Sequence, residues 1–398
     1  MHRLLVALVL VLTTTGVSAC NGASQLEAYA DEGPAAQTHE EAVERARTRL
    51  AQRMEDGVPG FSVAVAVDGE IVWAEGMGVA DRSTGAPVTT DTRFRIGSTS
   101  KSVTGALAGR LLDRDLISLD ADIREVLPSF PAKSYPITLR DLLSMQAGIR
   151  HYQGNESRNR RAYSSVAEGL QIFAEDPLLF EPHTDMRYSS YGFNLAGAVL
   201  AQALGTSYGE AIETEIFEPL GMTASGIDDP TQDIPERSRF YSPGIVRLNE
   251  APEVNDSYKA PSGGLLSTPS DMVRFGSALL SRRAPDGETW MSEETVRTLF
   301  TPRPTTNQEQ PAFYALGFRV WLDDPGAPPP YGRYTVHHGG SSVGARSMLM
   351  LFPDEGVVIS LLANSDGYDT KEIDTEAIAS GFIDAYRGGR SPSPTTVE

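Results

Sequence analysis

The sequence predicts an α+β fold: one antiparallel sheet flanked by an N-terminal and a C-terminal helix, with a large helical domain inserted at about 98–300. Three observations carry this prediction. Strand-like apolar runs sit at both ends of the chain, helix-like patterns fill its middle, and the paired runs at each end are joined by short turns. Residues 38–41 (Thr-His-Glu-Glu) form a capping box, opening a helix with Val43, Ala46 and Leu50 on one face. Residues 61–67, Asp68-Gly69 and 70–74 spell a hairpin with a two-residue turn. A short strand follows at 92–96. Helices are predicted over 99–113, 139–146, 191–204, 208–217, 270–280 and 292–299, between loops rich in Pro and Gly. Strand patterns return at 313–322, 334–337, 345–352 and 357–363, with Pro353-Asp354-Glu355-Gly356 as the last turn. A final helix is predicted over 371–386. The cleft between sheet and helical region is where a site is expected.

Composition narrows the partners. The 398 residues hold 34 Lys plus Arg against 53 Asp plus Glu, a net charge of −19 that repels phosphate backbones and excludes nucleic acid. The single cysteine, Cys20, rules out a disulfide framework or a thiolate zinc site within one chain. Residues 1–19 read as a signal peptide, with a basic start and an apolar run over 4–12. The small residues Val17-Ser18-Ala19 before Cys20 resemble a bacterial lipobox, which makes Cys20 the lipidated residue and 20–37 a flexible tether. The folded domain is expected over 38–387 and a disordered tail over 388–398. These readings place the chain in a bacterial cell envelope. Its anchor would lie on the outer side of the cytoplasmic membrane, or in the outer membrane facing the periplasm.

The chemistry starts at Ser98-Thr99-Ser100-Lys101. A serine three residues before a lysine at the head of a helix puts both side chains on one face. Burial and the positive end of the helix dipole both disfavour the ammonium, so the lysine becomes a usable base and the serine a nucleophile. The spacing alone is a weak signal, because roughly a third of a match is expected by chance in a chain this rich in serine. Its position at a strand-to-helix junction strengthens it. Two further segments accompany it: Met186-Arg187-Tyr188-Ser189-Ser190-Tyr191-Gly192 leads into an apolar helix, and Tyr334-Thr335-Val336-His337-His338-Gly339-Gly340 ends a strand.

In that order, the Ser-x-x-Lys, Tyr-x-x and His-x-Gly segments resemble the serine β-lactamase-like superfamily. The branch is that of class C β-lactamases, D,D-peptidases, related esterases and the mitochondrial serine β-lactamase-like proteins. The resemblance spans roughly 40–387, with similar supporting stretches at 139–148, 188–197 and 263–271. It implies Ser98 as nucleophile, Lys101 as proton acceptor and Tyr188 as proton shuttle, with an oxyanion hole from the N–H groups of Ser98 and Gly340. It puts Ser190, His337 and Gly339 at substrate-binding positions. No cofactor is implied.

Two positions depart from the family pattern. Ser190 stands where asparagine usually holds a substrate amide, and His337 stands where a lysine anchors a β-lactam carboxylate, followed by His338 in place of threonine or serine. A mostly neutral imidazole is a poorer anion anchor, so β-lactam hydrolysis ranks third behind peptidase and esterase activity. The alternative from another class is a non-enzymatic envelope protein that binds peptidoglycan-like ligands or self-assembles; oligomeric state is left open. Gly340-Ser341-Ser342-Val343-Gly344 also fits a nucleophile elbow, but a strand rather than a helix is predicted after it and no histidine follows His338. Adjacent histidines on a strand point to opposite faces, so no metal site is expected. Asp271 is read as a helix cap and His151 as a loop hydrogen-bonder.

Overall fold

The structure, a computed structural model, describes residues 36, 38–244, 248–307, 313–321 and 333–388. The predicted signal peptide, Cys20 and most of the tether therefore lie outside the described residues, as do the tail residues after Gly388. Ala36 is buried in the apolar cluster that the terminal helices form with the sheet.

Helix α1 (His39–Glu55) is followed by β1 (Gly60–Val67) and β2 (Glu70–Asp81). Thr38 Oγ1 accepts the Glu41 N–H and caps α1. Asp68 and Gly69 both adopt positive φ (51° and 89°), the backbone a two-residue hairpin turn requires. With β3 (Ala86–Pro87), β9 (Arg319–Trp321), β10 (Thr335–Ser342), β11 (Ala345–Phe352) and β12 (Val357–Ala363), these strands form one sheet. Its order is β3-β2-β1-β12-β11-β10-β9, with every pairing antiparallel.

Both faces of the central strands are buried, which is why they read as unbroken apolar runs. Alternation sorts their side chains. Phe61, Val63, Val65, Met348, Met350, Phe352, Ile359 and Leu361 pack under α1 and the C-terminal α8 (Lys371–Arg387). Ala64, Ala66, Leu349, Leu351, Val358 and Leu362 face the helical region. Small residues on that second face let α6 (Pro269–Ser281) approach closely; a methyl group on Gly276 would lie 2.5 Å from Val358 Cγ1.

The helical region contains α2 (Ser100–Asp113), α3 (Leu139–Leu143), α4 (Ser190–Leu204), α5 (Ala260–Gly263), α6 and α7 (Glu293–Phe300). It also holds short strands, of which one falls within the strand predicted at 92–96 and the others were not revealed by the sequence. The strands β4 (Phe94–Arg95), β5 (Gly226–Ile227) and β8 (Leu265–Ser267) make a three-stranded sheet, and β6 (Tyr241–Pro243) pairs with β7 (Leu248–Glu250). Two- and three-residue strands have no measurable periodicity. The predicted helix at 139–146 stops at Leu143 because Met145 takes a left-handed backbone (φ 63°). The one predicted over 208–217 is α-helical only to Ile212 and then widens into a π-helical turn at Glu213–Phe217. Conversely, β10 runs five residues past its predicted end at His337.

Strand β4 leads into the turn that carries Ser98. Arg95 is buried, pairs with Asp228 at 2.6 Å and donates to the Val343 carbonyl at 2.9 Å, tying the entry to Ser98 to the turn after β10. Arg237 adds a second guanidinium to Asp228 at 2.8 Å. Burial pushes the Asp228 carboxyl up, and the two guanidinium groups outweigh it and hold it below its usual range.

Candidate active site

Ser98 sits in the 3₁₀ turn Gly97–Thr99 that opens α2. Gly97 has φ 50°, and a methyl group there would lie 2.8 Å from the Ser341 carbonyl carbon, so only glycine lets this turn touch the end of β10. One helical turn on, Lys101 Nζ lies 3.3 Å from Ser98 Oγ, 3.2 Å from Ser190 Oγ and 2.6 Å from the Ser262 carbonyl of α5. Tyr188, just before α4, donates its hydroxyl to Ser98 Oγ at 2.8 Å. Ser189 caps α4 by accepting the Gly192 N–H and itself donates to the Arg150 carbonyl, which fixes the backbone around Tyr188. Three segments far apart in the chain thus meet at one hydroxyl.

The electrostatics follow from burial. Lys101 is wholly buried, and desolvation lowers its pKa below the ordinary lysine value, partly opposed by the neighbouring phenol. For Tyr188, burial acts upward, but the Lys101 charge and the hydrogen bonds to Lys101 and Ser98 prevail and hold the phenol below its usual value. Both shifts make a shared proton easier to move. His151 lines the same cleft. Its Nδ1 accepts the Ser190 N–H at 3.1 Å, and burial together with Lys101 lowers its pKa to about 4, so the ring is neutral with its proton on Nε2. The loop hydrogen bond expected of His151 is therefore made, at the rim of the site.

The strand segment needs correcting. Side chains of β10 alternate: Val336, His338 and Gly340 face the helical region, and His337 and Gly339 face the terminal helices. His337 is buried against Trp321, with ring centroids 3.8 Å apart, and does not line the cleft. His338 points the other way. Its Nε2 meets Tyr314 OH at 2.9 Å and its Nδ1 meets the Gly339 carbonyl at 2.8 Å. The histidine directed at the Lys101 side of β10 is thus His338, one residue after the expected one.

The same alternation decides which N–H groups of β10, including that of the expected oxyanion residue Gly340, face its open edge. Val320 N–H donates to Phe313, away from β10, so the backbone of its neighbour Arg319 faces His337. Two-residue steps along β10 then put the N–H groups of Gly339 and Ser341 on the edge that β9 no longer covers. The Gly340 N–H is directed at β11 instead. Gly340 matters for a different reason: a methyl group there would lie 2.0 Å from the Ile96 carbonyl.

Ser98, Tyr188, Ser190, Gly339, Gly340 and Ser341 line one cleft of about 670 Å³, together with Tyr152 and Ser262. Ser262, Tyr152 and Ser341 were missed from sequence; the Pro261-Ser262-Gly263-Gly264 turn was the available signal. Ser342 lies at the end of β10 and is followed by a turn and β11, a hairpin that cannot serve as a nucleophile elbow. Asp271 is not the cap of α6: Thr268 caps it, while Asp271 accepts from Ala224 and Ser225 and pairs with Arg274. Among the described residues no group of three His, Cys, Asp or Glu side chains is placed to hold a metal ion.

A family model described as beta-lactamase matches residues 46–381. The chain belongs to the beta-lactamase family. It is a serine hydrolase of the β-lactamase-like kind, with the α+β fold of that family. It is similar to the mitochondrial serine beta-lactamase-like protein LACTB of Mus musculus, 28% identical over 83% of this chain and 78% of that protein. It is 30% identical to penicillin-binding protein 4 of Amycolatopsis lactamdurans, covering 79% of this chain and 83% of the relative. Among solved structures, D-amino acid amidase from Ochrobactrum anthropi SV3 superposes with a TM-score of 0.72 at 22% identity, covering 88% of this chain and 99% of the other.

Proposed function

We propose that this chain is an extracytoplasmic, lipid-anchored serine hydrolase that cleaves small peptides or esters through an acyl-enzyme on Ser98. The observation that carries the reading is the convergence of Lys101 Nζ (3.3 Å) and Tyr188 OH (2.8 Å) on Ser98 Oγ at the floor of the cleft. Ser98 Oγ attacks the substrate carbonyl, and its proton passes to the Lys101–Tyr188 pair. The oxyanion is met by the N–H groups of Ser98 and Ser341. The bond to the leaving amine or alcohol breaks as Tyr188 returns the proton to it. Water then enters, gives a proton back to the pair and releases the acid product, regenerating Ser98.

The relatives support an amide-type substrate: one is a penicillin-binding protein and one structural neighbour a D-amino acid amidase. β-Lactam hydrolysis has less support, because His337 does not reach the cleft. Envelope localisation rests on residues 1–20; no helix among the described residues is long and apolar enough to cross a membrane. One experiment addresses both parts. A fluorophosphonate probe applied to fractionated cells is expected to label Ser98 in the membrane fraction, to label nothing in Ser98→Ala, and to label soluble protein in Cys20→Ala. Attachment at Ser342, or no labelling of folded protein, would overturn the hydrolase reading. Soluble wild-type protein with Cys20 unmodified would overturn the anchor.

A further inference from the structure

His337 is a buried polar side chain that acyl transfer does not use. Its ring is 1% exposed, and neither Nδ1 nor Nε2 has a hydrogen-bond partner among the described residues. A buried nitrogen left unpaired destabilises a fold, whereas an apolar ring in the same place would not. Burial, with Arg319 nearby, holds the imidazole neutral, so it keeps a free lone pair. His338, one residue on, faces the other side of the sheet and engages both of its ring nitrogens.

The sheet places soft donors around that ring. His337 stands opposite Met350 in the β10–β11 register, and Gly339 stands opposite Met348. Side chains directly opposite on antiparallel strands have Cβ atoms about 5 Å apart. Met348 and Met350 are two residues apart, so both share the sheet face of His337, and both are fully buried. Gly339 has no side chain, and the Met348 sulfur occupies the room this leaves: Met348 Sδ would lie 3.0 Å from a methyl group on Gly339. On the β9 side, Trp321 lies against the imidazole with ring centroids 3.8 Å apart and covers it. The ring is thus flanked by an indole on one strand and two thioethers on the other. Methionine has three rotatable bonds, which lets both sulfurs adjust to an ion without moving the strands.

The surrounding charges decide which ion fits. Arg319 stands opposite His337 on β9, and Lys371 Cε would lie 3.3 Å from the same methyl group on Gly339, with Glu372 Oε1 at 3.5 Å. Arg319 and Lys371 have no ion pair to any carboxylate among the described residues. A divalent ion would be repelled by both cations and would find Glu372 as its nearest oxygen donor. One imidazole and two thioethers make a neutral, soft donor set, which selects a soft monovalent ion. Gly339, Arg319 and Lys371 also line the cleft, so an ion entering there arrives next to the Met348 sulfur.

We infer that His337, Met348 and Met350 form a Cu(I) site on the sheet face covered by the terminal helices, with Trp321 as its side wall. The site takes no part in acyl transfer, so its failure would leave the hydrolase reading standing. The test uses the full chain carrying Cys20→Ala, which removes the one thiol that would take a soft ion elsewhere, in chloride-free buffer. Ag(I), a redox-inert substitute for Cu(I), is expected to bind once per chain and to raise the melting temperature. The methyl NMR signals of Met348 and Met350 should shift ahead of those of the other methionines. Cu(I) bound by the chain should show one nitrogen and two sulfur neighbours by X-ray absorption. Met348→Leu and Met350→Leu conserve volume, and His337→Phe keeps a ring against Trp321, so all three should melt near wild type without metal. Each should weaken Ag(I) binding by about tenfold or more, at least what loss of a metal's outer-shell partner costs. Unmoved Met348 and Met350 methyl signals at saturating Ag(I), equal affinity in the three variants, or tighter binding of Zn(II) at these residues would overturn the inference. The methyl shifts of the unsubstituted site decide the matter if a variant fails to fold.

Discussion

Lys101 is buried with three hydrogen bonds, to Ser98 Oγ, Ser190 Oγ and the Ser262 carbonyl, and only the first is local, to the turn that opens its own helix. In the proposed mechanism the other two orient the amine so that a lone pair, once the proton is lost, faces Ser98 Oγ. Tyr188 reaches the same oxygen from the segment just before α4, and its ring packs edge-on to His151 at 5.4 Å. Ring and hydroxyl therefore have separate tasks. Tyr188→Phe keeps the ring and is expected to cost about 1 kcal/mol of stability, read by chemical denaturation. In turnover it should lose at least about 10²-fold, the lower value for a positioned proton shuttle, with KM little changed. Lys101→Met should lose as much, and the double variant far less than the product of the two losses, since the pair acts as a unit. A Tyr188→Phe enzyme with near-wild-type turnover would show that this tyrosine only packs.

Strand β10 works as an element through its two faces and its free edge. Its edge is open because β9 pairs with it only over Thr335–His337, leaving the N–H groups beyond for an incoming carbonyl. Its two glycines look alike in sequence and differ in space. A Cβ at Gly340 would meet the Ile96 carbonyl at 2.0 Å and Ser347 Oγ at 2.1 Å, just before the turn that carries Ser98. A Cβ at Gly339 would meet the flexible ends of Met348 and Lys371 at 3.0 and 3.3 Å. Gly340→Ala is therefore expected to cost about 2 kcal/mol by overpacking and to separate β10 from Ser98, with acylation rates falling further than stability. Gly339→Ala should stay within about 1 kcal/mol of wild type. Urea denaturation and probe-labelling rates check both, and equal costs would contradict the face assignment.

At the scale of the whole molecule, the two ends of the folded domain are tied together on one sheet face. Asp374 of α8 is buried and binds Arg49 at 3.1 Å and Arg53 at 3.0 Å, both from α1, along with the Tyr368 and Thr370 hydroxyls. Burial acts upward on its carboxyl, and the hydrogen bonds and charge of Arg53 outweigh it and hold it below the usual range. Its native pKa is thus below the unfolded value of about 3.9, so its contribution is full above that pH and is lost as pH falls through the native pKa. Asp374→Asn is expected to destabilise by about 3 kcal/mol at pH 7, the low end for a broken buried ion pair, because both arginines keep some contact with water. The gap to wild type should narrow below about pH 4 as the native carboxyl protonates. Thermal melts at pH 7 and pH 3 measure both, and a gap that widened in acid would refute the ion-pair account.

What the sequence determined by itself was whatever depends on near neighbours along the chain. The Asp68-Gly69 turn, the unbroken runs of β1, β11 and β12, and the Ser98–Lys101 spacing are local, set by turn chemistry and by one helical turn. The order of motifs also sufficed to indicate the family. Tertiary structure decided the rest. Which of His337 and His338 faces the site, and which N–H of β10 points to the open edge, depend on a register set by pairing with β9 and β11, and a one-residue difference exchanges both faces. Ser262 enters the site only because α5 folds back over α2, and Asp271 leaves its predicted capping role because the 224–225 loop happens to reach it. That Arg319 and Lys371 stand without an ion pair among the described residues was invisible for the same reason. A guanidinium or ammonium is free or paired according to which distant carboxylate packs beside it, and no local pattern encodes that.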